Sequence, residues 1–464
     1  MGKRENADGA YWRPRRFVAD VSFERLAAEA VDVARVGFID CIATMIAGAD
    51  DPAPQLLRKA LRPGHGDAGL YFSGETVPAP EAAWINGTAG RALDYDDVAL
   101  RGHPSTVLVP AILAEGEAFR SSGPDMLTAY VAGYETWAEL AWRDPGHHHR
   151  KGWHPTGIFG PIGAAAACAS PRHLDAEHAS NALALAASQS SGVMANFGTM
   201  TTPFHAGRSA HSGLITARRA EVGFTASPDA IEHPRRFLSA VSPAGEADRE
   251  TPAQALGSEW KILKYRLGIK KYPACYCTHR ALDAMIELLA HHPLEPREIH
   301  RVRVLLSDTH SLIVRNHWPQ TGLEGKFSME FAMAAAVIAA RRIYRRLCSA
   351  PGCPGFDAPG RHRNKPELRS GGLRSLGIGP GTGRPRSPAA TSKARKCGGL
   401  KGMQTAPSAK PSCSTNSAAV STRATQRSHP TSCSSALIIS KTCRRANSPE
   451  TTDRIGCGSA SRAK

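Results

Sequence analysis

Apolar residues recur at helical spacing through most of the first 260 residues. Behind the potential N-cap Ser22 they predict a helix that ends near Gly48, with apolar positions at Leu26, Ala30, Val33, Ala34 and Ile42. The same spacing predicts helices over 80–92, 107–119, 126–142, 160–169, 176–190 and 209–222. Patterns typical of strands are almost absent before Trp260. We therefore expect a helical domain at 17–260, with Ala-rich and closely packed helices.

The pattern changes after residue 260. Helical spacing returns at 278–291 and 326–340, and residues 298–307 alternate between apolar and polar positions, as in a strand with one buried face. We expect a smaller α+β lid domain at 261–340. The predicted fold class is thus mainly α, with a large all-helical domain and a smaller α+β lid.

The composition changes again after Ala340. Residues 341–464 contain 24 Lys and Arg against 4 Asp and Glu, whereas the preceding residues contain 34 against 37. Their only aromatic residues are Tyr344 and Phe356, against 27 before them. Such a segment cannot bury enough apolar surface to offset its ordering entropy. We expect a disordered basic tail at 341–464. It begins inside a predicted helix, which favours a shifted reading frame near Ala340 over a natural tail.

This distribution of charge argues against a nucleic-acid-binding protein, because the net charge of +17 comes from the tail alone. No apolar stretch reaches membrane-spanning length, and the first 16 residues lack the apolar core of a secretory signal. The cysteines show no spacing typical of zinc sites or of a disulfide framework. We expect a soluble cytoplasmic protein with no bound metal and no membrane partner.

Acidic residues and a histidine cluster between two of the predicted helices. Residues 92–105 read ALDYDDVALRGHPS, with Asp94, Asp96 and Asp97 followed by His103. These acids could simply end one helix and cap the next. Further His, Lys and Arg residues at other helix breaks favour a functional site, because loops between helices commonly carry catalytic residues.

The candidate residues suit a polycarboxylate substrate. Lys and Arg bind carboxylates, His moves a proton next to a carboxylate near neutral pH, and a neighbouring Asp can orient that His. The nine candidates are Asp94, Asp97, His103, His154, His205, Arg208, Lys270, Lys271 and His279. Each has a simpler explanation: a turn for His103 and His154, a solvated loop for His205 and Arg208, and surface charge for the two lysines.

Five motifs occur in an order that resembles the MmgE/PrpD family, which includes 2-methylcitrate dehydratases and cis-aconitate decarboxylases. They are LDYDD with GHPS in 93–105, GWHPTGIFGPIGAAAA at 152–167, FGTMTTPFHAGRSAHSG at 197–213, IKKYPACYCTH at 269–279 and KFSMEFAMAAA at 326–336. The resemblance spans about 17–340. It implies a helical domain with an α+β lid, a homodimer, no cofactor, and catalytic roles for Asp94, His103, His154 and Lys270.

Three positions depart from the family pattern. Thr202 stands where the family commonly has Lys, while Cys275 and Phe331 stand where decarboxylases have His and Tyr. The last two argue against cis-aconitate decarboxylase itself. The resemblance therefore implies a lyase that dehydrates a small di- or tricarboxylate such as 2-methylcitrate, an intermediate of propionate metabolism. In this hypothesis Asp94 positions the base, and Lys270 and Arg208 hold carboxylates. The alternatives are a decarboxylase, an epimerase and an inactive relative.

The composition of residues 341–464 makes them a target for proteases. Limited proteolysis should remove residues beyond about Ala340 and leave a resistant core, because segments without apolar burial are cleaved first. Mass spectrometry of the fragments checks this. A protease-resistant fragment from 341–464 would contradict the prediction.

Overall fold

The computed structural model describes residues 14–348, except Phe72 and Pro293, together with 417–421 and 436–441. The larger part is a stack of helices. Its main helices are α1 (Pro14–Asp20), α2 (Ala28–Ala47), α3 (Pro52–Leu61), α4 (Ala79–Ala92), α5 (Ser105–Phe119), α6 (Gly123–Ala141), α7 (Pro155–Ala169), α8 (Ala176–Ala187) and α9 (Thr201–Glu221). The short helices α10 (Phe237–Val241) and α11 (Lys261–Tyr265) follow.

The prediction of a mainly helical first part is confirmed. In residues 14–260 the described strands are β1 (Ala68–Gly69) and β2 (Thr76–Val77), which pair antiparallel. Three helix starts were wrong. Ser22 makes no cap and precedes a short 3-10 turn. Helix α7 begins five residues before the predicted start at 160, and α9 begins eight residues before the predicted start at 209. His205 and Arg208 therefore lie in a helix rather than in a solvated loop.

The lid segment follows α11. It comprises α12 (His279–His291), β3 (Ile299–Leu305), α13 (Asp308–Ile313), α14 (Gly322–Gly325) and α15 (Met329–Cys348). Its buried side chains form a second apolar cluster, in which Met285, Phe327 and Met333 pack together with Met194 and Phe197 from the helical part. The boundary at 260 and 261 stays a prediction.

The expected tail falls mostly outside the described residues. Two described segments within it form strands, β4 (Ser417–Ser421) and β5 (Ala436–Lys441), and the antiparallel sheet has the order β3-β5-β4. The sequence predicted no regular secondary structure in 341–464, whereas these two segments are strands. The reason is local, because ALIISK is rich in aliphatic and β-branched residues that favour strands.

Helices α4 and α9 approach each other closely through glycines. A Cβ placed on Gly207 of α9 would overlap the carbonyl oxygen of Trp84 and the side chain of Thr88, both on α4, and a Cβ on Gly87 would meet Gly207. This contact fixes the distance between the two helices that carry Arg91 and His205. None of the described helices is long and apolar enough to cross a membrane.

The contact between α4 and α9 gives a stability prediction. Gly207→Ala should lower the free energy of unfolding by about 1–3 kcal/mol, because the added methyl group overpacks a helix contact that cannot yield without moving backbone. Urea unfolding measures the change. The control is Gly64→Ala, where a Cβ meets no described atom within 4 Å. Equal effects of the two substitutions would contradict the inferred close packing.

Candidate active site

The candidate site lies in the connection between α4 and α5, residues 93–104. Asp94, Leu100 and Arg101 adopt left-handed backbone conformations, with φ of 52°, 52° and 62°. Such conformations are unfavourable for residues other than glycine and are often retained at functional sites. The resulting compact turn brings three buried acids and His103 against the end of α4.

Arg91 is the second-last residue of α4, and its side chain lies at the centre of the compact loop that follows the helix. Its Nη1 donates to Asp94 Oδ1 and to Asp96 Oδ1, the latter at 3.1 Å. Its Nη2 lies 3.0 Å from His103 Nε2. The side chains of Arg91, Asp94 and Asp96 are at most 4% exposed. One buried guanidinium therefore holds two carboxylates and an imidazole.

His103 is a neutral imidazole with a defined tautomer. Because Arg91 can only donate, Nε2 of His103 accepts, and the ring proton lies on Nδ1. Nδ1 is 2.9 Å from Asp96 Oδ2 and 3.1 Å from the Asp97 carbonyl oxygen. Burial and the nearby Arg91 hold the pKa of His103 below its usual range, against the pull of Asp96.

The carboxylate that orients His103 is therefore Asp96, and the expectation that Asp94 would do so was wrong. Asp94 instead pairs with cations. Burial would raise its pKa, but Arg91 and Lys270 hold the pKa of Asp94 below its usual range. It is thus ionised and available to position the two cations.

Lys270 arrives from the segment that leads into the lid. A bridge between Val98 and Gly268 joins this segment to the turn, and Lys270 Nζ donates to the carbonyl oxygen of Asp94 at 2.8 Å and to its carboxylate. Lys326 Nζ donates to the Ala92 carbonyl oxygen at 2.8 Å. Burial lowers the pKa of Lys326. Residues from the lid thus supply two cations to the turn.

A pair of histidines forms the other side of the site. His154 directly precedes α7, and its Nδ1 lies 3.0 Å from His205 Nδ1, so one ring donates and the other accepts. Burial, then His205, holds the pKa of His154 well below its usual range, and burial lowers that of His205 to about 4. The His103 and His154 ring centres are 6.3 Å apart. Asp94, His103, His154 and Lys270 therefore lie in one cluster.

Two predicted substrate-binding residues make their described contacts elsewhere. Arg208 donates to Gln189 and Ser212 and lies over the Trp84 ring. Lys271 points outward, with a 69% exposed side chain paired to Asp283 at 2.8 Å.

His279 hydrogen-bonds to the Ala274 carbonyl oxygen and packs against Tyr272 and Tyr276. The described contacts of Arg208 and Lys271 thus lie outside the cluster, whereas His279, whose pKa burial lowers, is close enough to Lys270 and Asp94 for both to act on that pKa. Substrate binding by these three residues stays a prediction.

Asp97 lies behind the cluster, next to α2. Its backbone N–H donates to Asp40 Oδ2 at 2.9 Å. Burial, then the neighbouring Asp96, raises the pKa of Asp97 well above its usual range, which favours the protonated carboxyl. This position suits support of the turn rather than direct substrate binding.

Three residues of the cluster, Arg91, Asp96 and Lys326, are not among the nine candidates indicated by the sequence. Arg91 and Asp96 are close in sequence to the chosen acids, and Lys326 opens one of the quoted motifs. Arg91 could have been found from its neighbours in sequence, because the end of α4 is otherwise built of small residues such as Ala, Gly and Thr that pack closely. An arginine among them is expected to be buried, and a buried charge requires partners of opposite charge.

No group of three or more His, Cys, Asp or Glu residues within the described ranges is arranged to hold a metal ion. A cavity of about 570 Å³ lies away from this cluster, between β3 and α15, lined by residues such as Val302, Val304, Met329 and Met333. The cluster combines buried histidines with the cations Arg91, Lys270 and Lys326, a set of groups able to move a proton beside an anion.

Comparison with known proteins gives two family matches. The MmgE/PrpD N-terminal domain matches residues 15–250 and the MmgE/PrpD C-terminal domain matches 272–342. The second match ends two residues beyond the expected break at Ala340.

Curated relatives include cis-aconitate decarboxylases. That of Homo sapiens is 28% identical over 272 residues, covering 56% of this chain and 56% of that protein. That of Mus musculus is 26% identical over 273 residues, covering 56% of this chain and 55% of that protein. That of Aspergillus terreus is 24% identical over 288 residues, covering 57% of this chain and 58% of that protein. The chain thus spans little more than half the length of these relatives.

The ion cluster gives a prediction that does not require activity. Arg91→Met should lower the free energy of unfolding by about 3–5 kcal/mol, because it leaves two buried carboxylates without their main counter-charge. Thermal and urea unfolding measure the loss. The control is Arg35→Met, which breaks an exposed pair with Asp32 and should cost at most about 1 kcal/mol. Similar small losses for both would contradict the central position of Arg91.

Proposed function

The chain belongs to the MmgE/PrpD family, and on that premise we propose that the Arg91 cluster is the active site of a lyase for small di- or tricarboxylic acids. Dehydration is the simplest reaction for it, with 2-methylcitrate as the first substrate to test. The single observation that carries the proposal is the neutral His103, held between Asp96 and a buried arginine.

His103 is the proposed base. Its Nδ1–H is fixed by Asp96, so the lone pair of Nε2 accepts a proton once Arg91 turns its Nη2 toward a substrate carboxylate. The C–H electron pair becomes the new C=C bond, and the β-hydroxyl leaves as water. Protonated His103 then gives this proton to the leaving hydroxyl, because burial and His205 keep His154 neutral, and a neutral imidazole is no acid near neutral pH. The substrate proton therefore ends in the released water, and the pair of His154 and His205 lines the other side of the cluster.

The substrate carboxylates are proposed to bind the cations around the turn. Arg91, Lys270 and Lys326 are proposed in place of the pair Lys270 and Arg208, because the described contacts of Arg208, to Gln189, Ser212 and the Trp84 ring, are away from the turn. In this structure Asp94 and Asp96 neutralise two of these cations. A substrate must therefore compete with Asp94 for Lys270 and Arg91, which favours acids with two or more charges.

Decarboxylation is the second candidate, since the matched relatives are cis-aconitate decarboxylases. It uses the same bound carboxylates. Cys275 and Phe331 stand against it. Thr202 bears on activity in general, and its buried hydroxyl donates to the Asn196 carbonyl oxygen. Epimerisation would need the same base. An inactive relative stays a hypothesis, because Thr202 removes a cation one turn before His205.

The remaining expectations stay proposals. They are a cytoplasmic homodimer, a helical domain at 17–260 with a lid at 261–340, and a shifted reading frame near Ala340. Apolar surface left uncovered by an incomplete lid would favour aggregation. We therefore expect the chain as given to be poorly soluble and essentially inactive, because small displacements of Lys270 cost catalytic rate.

The test compares the chain as given with one whose reading frame is restored after Ala340. The restored chain should produce new C=C absorbance from 2-methylcitrate or a related acid. His103→Ala should lower kcat/KM by roughly a hundredfold or more, because the base is lost. The acid limb of the pH profile should lie below 6.5, since burial and Arg91 hold the pKa of His103 down.

His178→Ala is the control, since His178 is a partly exposed histidine paired with Asp175 on α8. Its activity should match that of the unmodified restored chain. Equal activity of the given and restored chains would refute the frame shift. A restored chain without activity on any di- or tricarboxylate would favour the inactive relative, with Thr202→Lys the first reversion to test.

A further inference from the structure

Two cysteines lie in the segment that leads from Lys270 into the lid. Cys275 directly precedes the short 3-10 turn Tyr276–Thr278, and Cys277 lies within that turn. Both are free thiols. Cys275 is 7% exposed and Cys277 is half-buried. The proposed reaction uses neither thiol, so the pair is free to have a role of its own.

The two thiols are adjacent and unequal. A hydrogen bond from the Cys277 thiol lowers the pKa of Cys275, against the effect of burial. The same hydrogen bond, then burial, raises the pKa of Cys277 well above its usual range. Cys275 is therefore the thiol that ionises first, with the Cys277 proton beside it. A nucleophilic thiolate next to a second thiol is the arrangement of a reactive dithiol.

The surroundings of the pair differ from those of the cysteines in the helical part. Lys270 lies within electrostatic reach of both thiols and favours the thiolate, the nucleophilic form. Cys41 and Cys168 are fully buried, and burial raises the pKa of each well above its usual range. Reactivity toward an oxidant should therefore be selective for the pair.

The backbone of Cys275 connects this pair to the cations of the candidate site. Its N–H donates to the Lys326 carbonyl oxygen at 3.0 Å, and Lys326 Nζ donates to the Ala92 carbonyl oxygen. A disulfide draws two sulfur atoms to about 2 Å, well inside hydrogen-bond contact. Only Tyr276 separates the two cysteines, so the movement falls on the backbone at Cys275. Its hydrogen bond to Lys326 is the first to be affected.

We propose that Cys275 and Cys277 form a modification site for peroxides, at which the dithiol is oxidised to a disulfide. The Cys275 thiolate attacks the peroxide and the O–O bond breaks. One oxygen stays on Cys275 as a sulfenic acid, and the other takes up a proton and leaves as water or an alcohol. The Cys277 sulfur then displaces the hydroxyl, which leaves as water with the Cys277 proton.

The peroxide is thus reduced by two electrons and the dithiol is oxidised by two. A small dithiol such as dithiothreitol reverses the change by thiol–disulfide exchange. The proposal goes beyond the proposed reaction and does not depend on it.

Mass spectrometry of the full chain after treatment with hydrogen peroxide tests the proposal. Trypsin cleaves after Lys271 and Arg280, so one peptide, YPACYCTHR at 272–280, holds both cysteines. When free thiols are alkylated in denaturant before digestion, this peptide should stay unalkylated and be lighter than its dithiol form by two hydrogen atoms. Cys41 and Cys168 should be alkylated. Dithiothreitol should restore alkylation of the peptide.

Two variants separate the chemical steps. Cys277→Ser has no second thiol, so oxidation should stop at the Cys275 sulfenic acid, which dimedone traps. Cys168→Ser is the matched control, because it removes a thiol outside the pair, and it should leave the disulfide within 272–280 unchanged.

Hydrogen–deuterium exchange tests the connection to the site. Deuterium uptake of 272–280 should rise on oxidation, because the Cys275 N–H loses its bond to Lys326, whereas uptake of α5 should stay the same. Thiols in 272–280 that persist under peroxide, a disulfide from this peptide to another cysteine, equal oxidation of Cys41 and Cys168, or unchanged deuterium uptake would each overturn the proposal.

Discussion

The structure depends on one buried guanidinium. Arg91 neutralises Asp94 and Asp96 at the end of α4, where a charge without a partner would be strongly unfavourable. The turn after α4 can enter the interior only because this cation is present. The two carboxylates in turn fix the positions of Lys270 and His103. The helices that carry these groups pack through small residues, so their distances have little freedom.

This arrangement also constrains the chemistry. The cations that would bind a polycarboxylate are already paired with carboxylates of the chain, and the base is already hydrogen-bonded on both nitrogens. Binding therefore requires exchange of partners rather than filling of an empty charged pocket. In the proposed reaction such exchange would favour polycarboxylates, because an acid with a single charge competes less well with Asp94 for Lys270 and Arg91. The nearby Lys326, with a pKa lowered by burial, would gain most from an added carboxylate.

Much of the fold could be predicted from the sequence, because helical periodicity and caps such as Asp175 are local signals. The start of α9 was missed, since its first turns carry polar residues that also suit a loop. The family motifs led to Asp94, His103, His154 and Lys270, which the structure brings together.

The details of the site depend on tertiary contacts that spacing does not reveal. Asp94 and Asp96 are two residues apart, and only the fold shows which one faces His103. Lys270 and Lys271 are adjacent, but the first is buried against Asp94 and the second is exposed. Arg91 was missed because a cation in the last turn of a helix is usually explained by the helix dipole.

The central claim is that this cluster removes a proton next to a carboxylate. Proton NMR in D2O tests it most directly, because dehydration and epimerisation both remove that proton, whereas decarboxylation instead adds a solvent proton to the carbon that loses CO2. The frame-restored chain should eliminate the α-hydrogen signal of its substrate, by formation of a C=C bond or by exchange for deuterium, and His103→Ala should abolish this. An α-hydrogen signal that persists across a panel of di- and tricarboxylates, or that is lost equally with His103→Ala, would contradict the account.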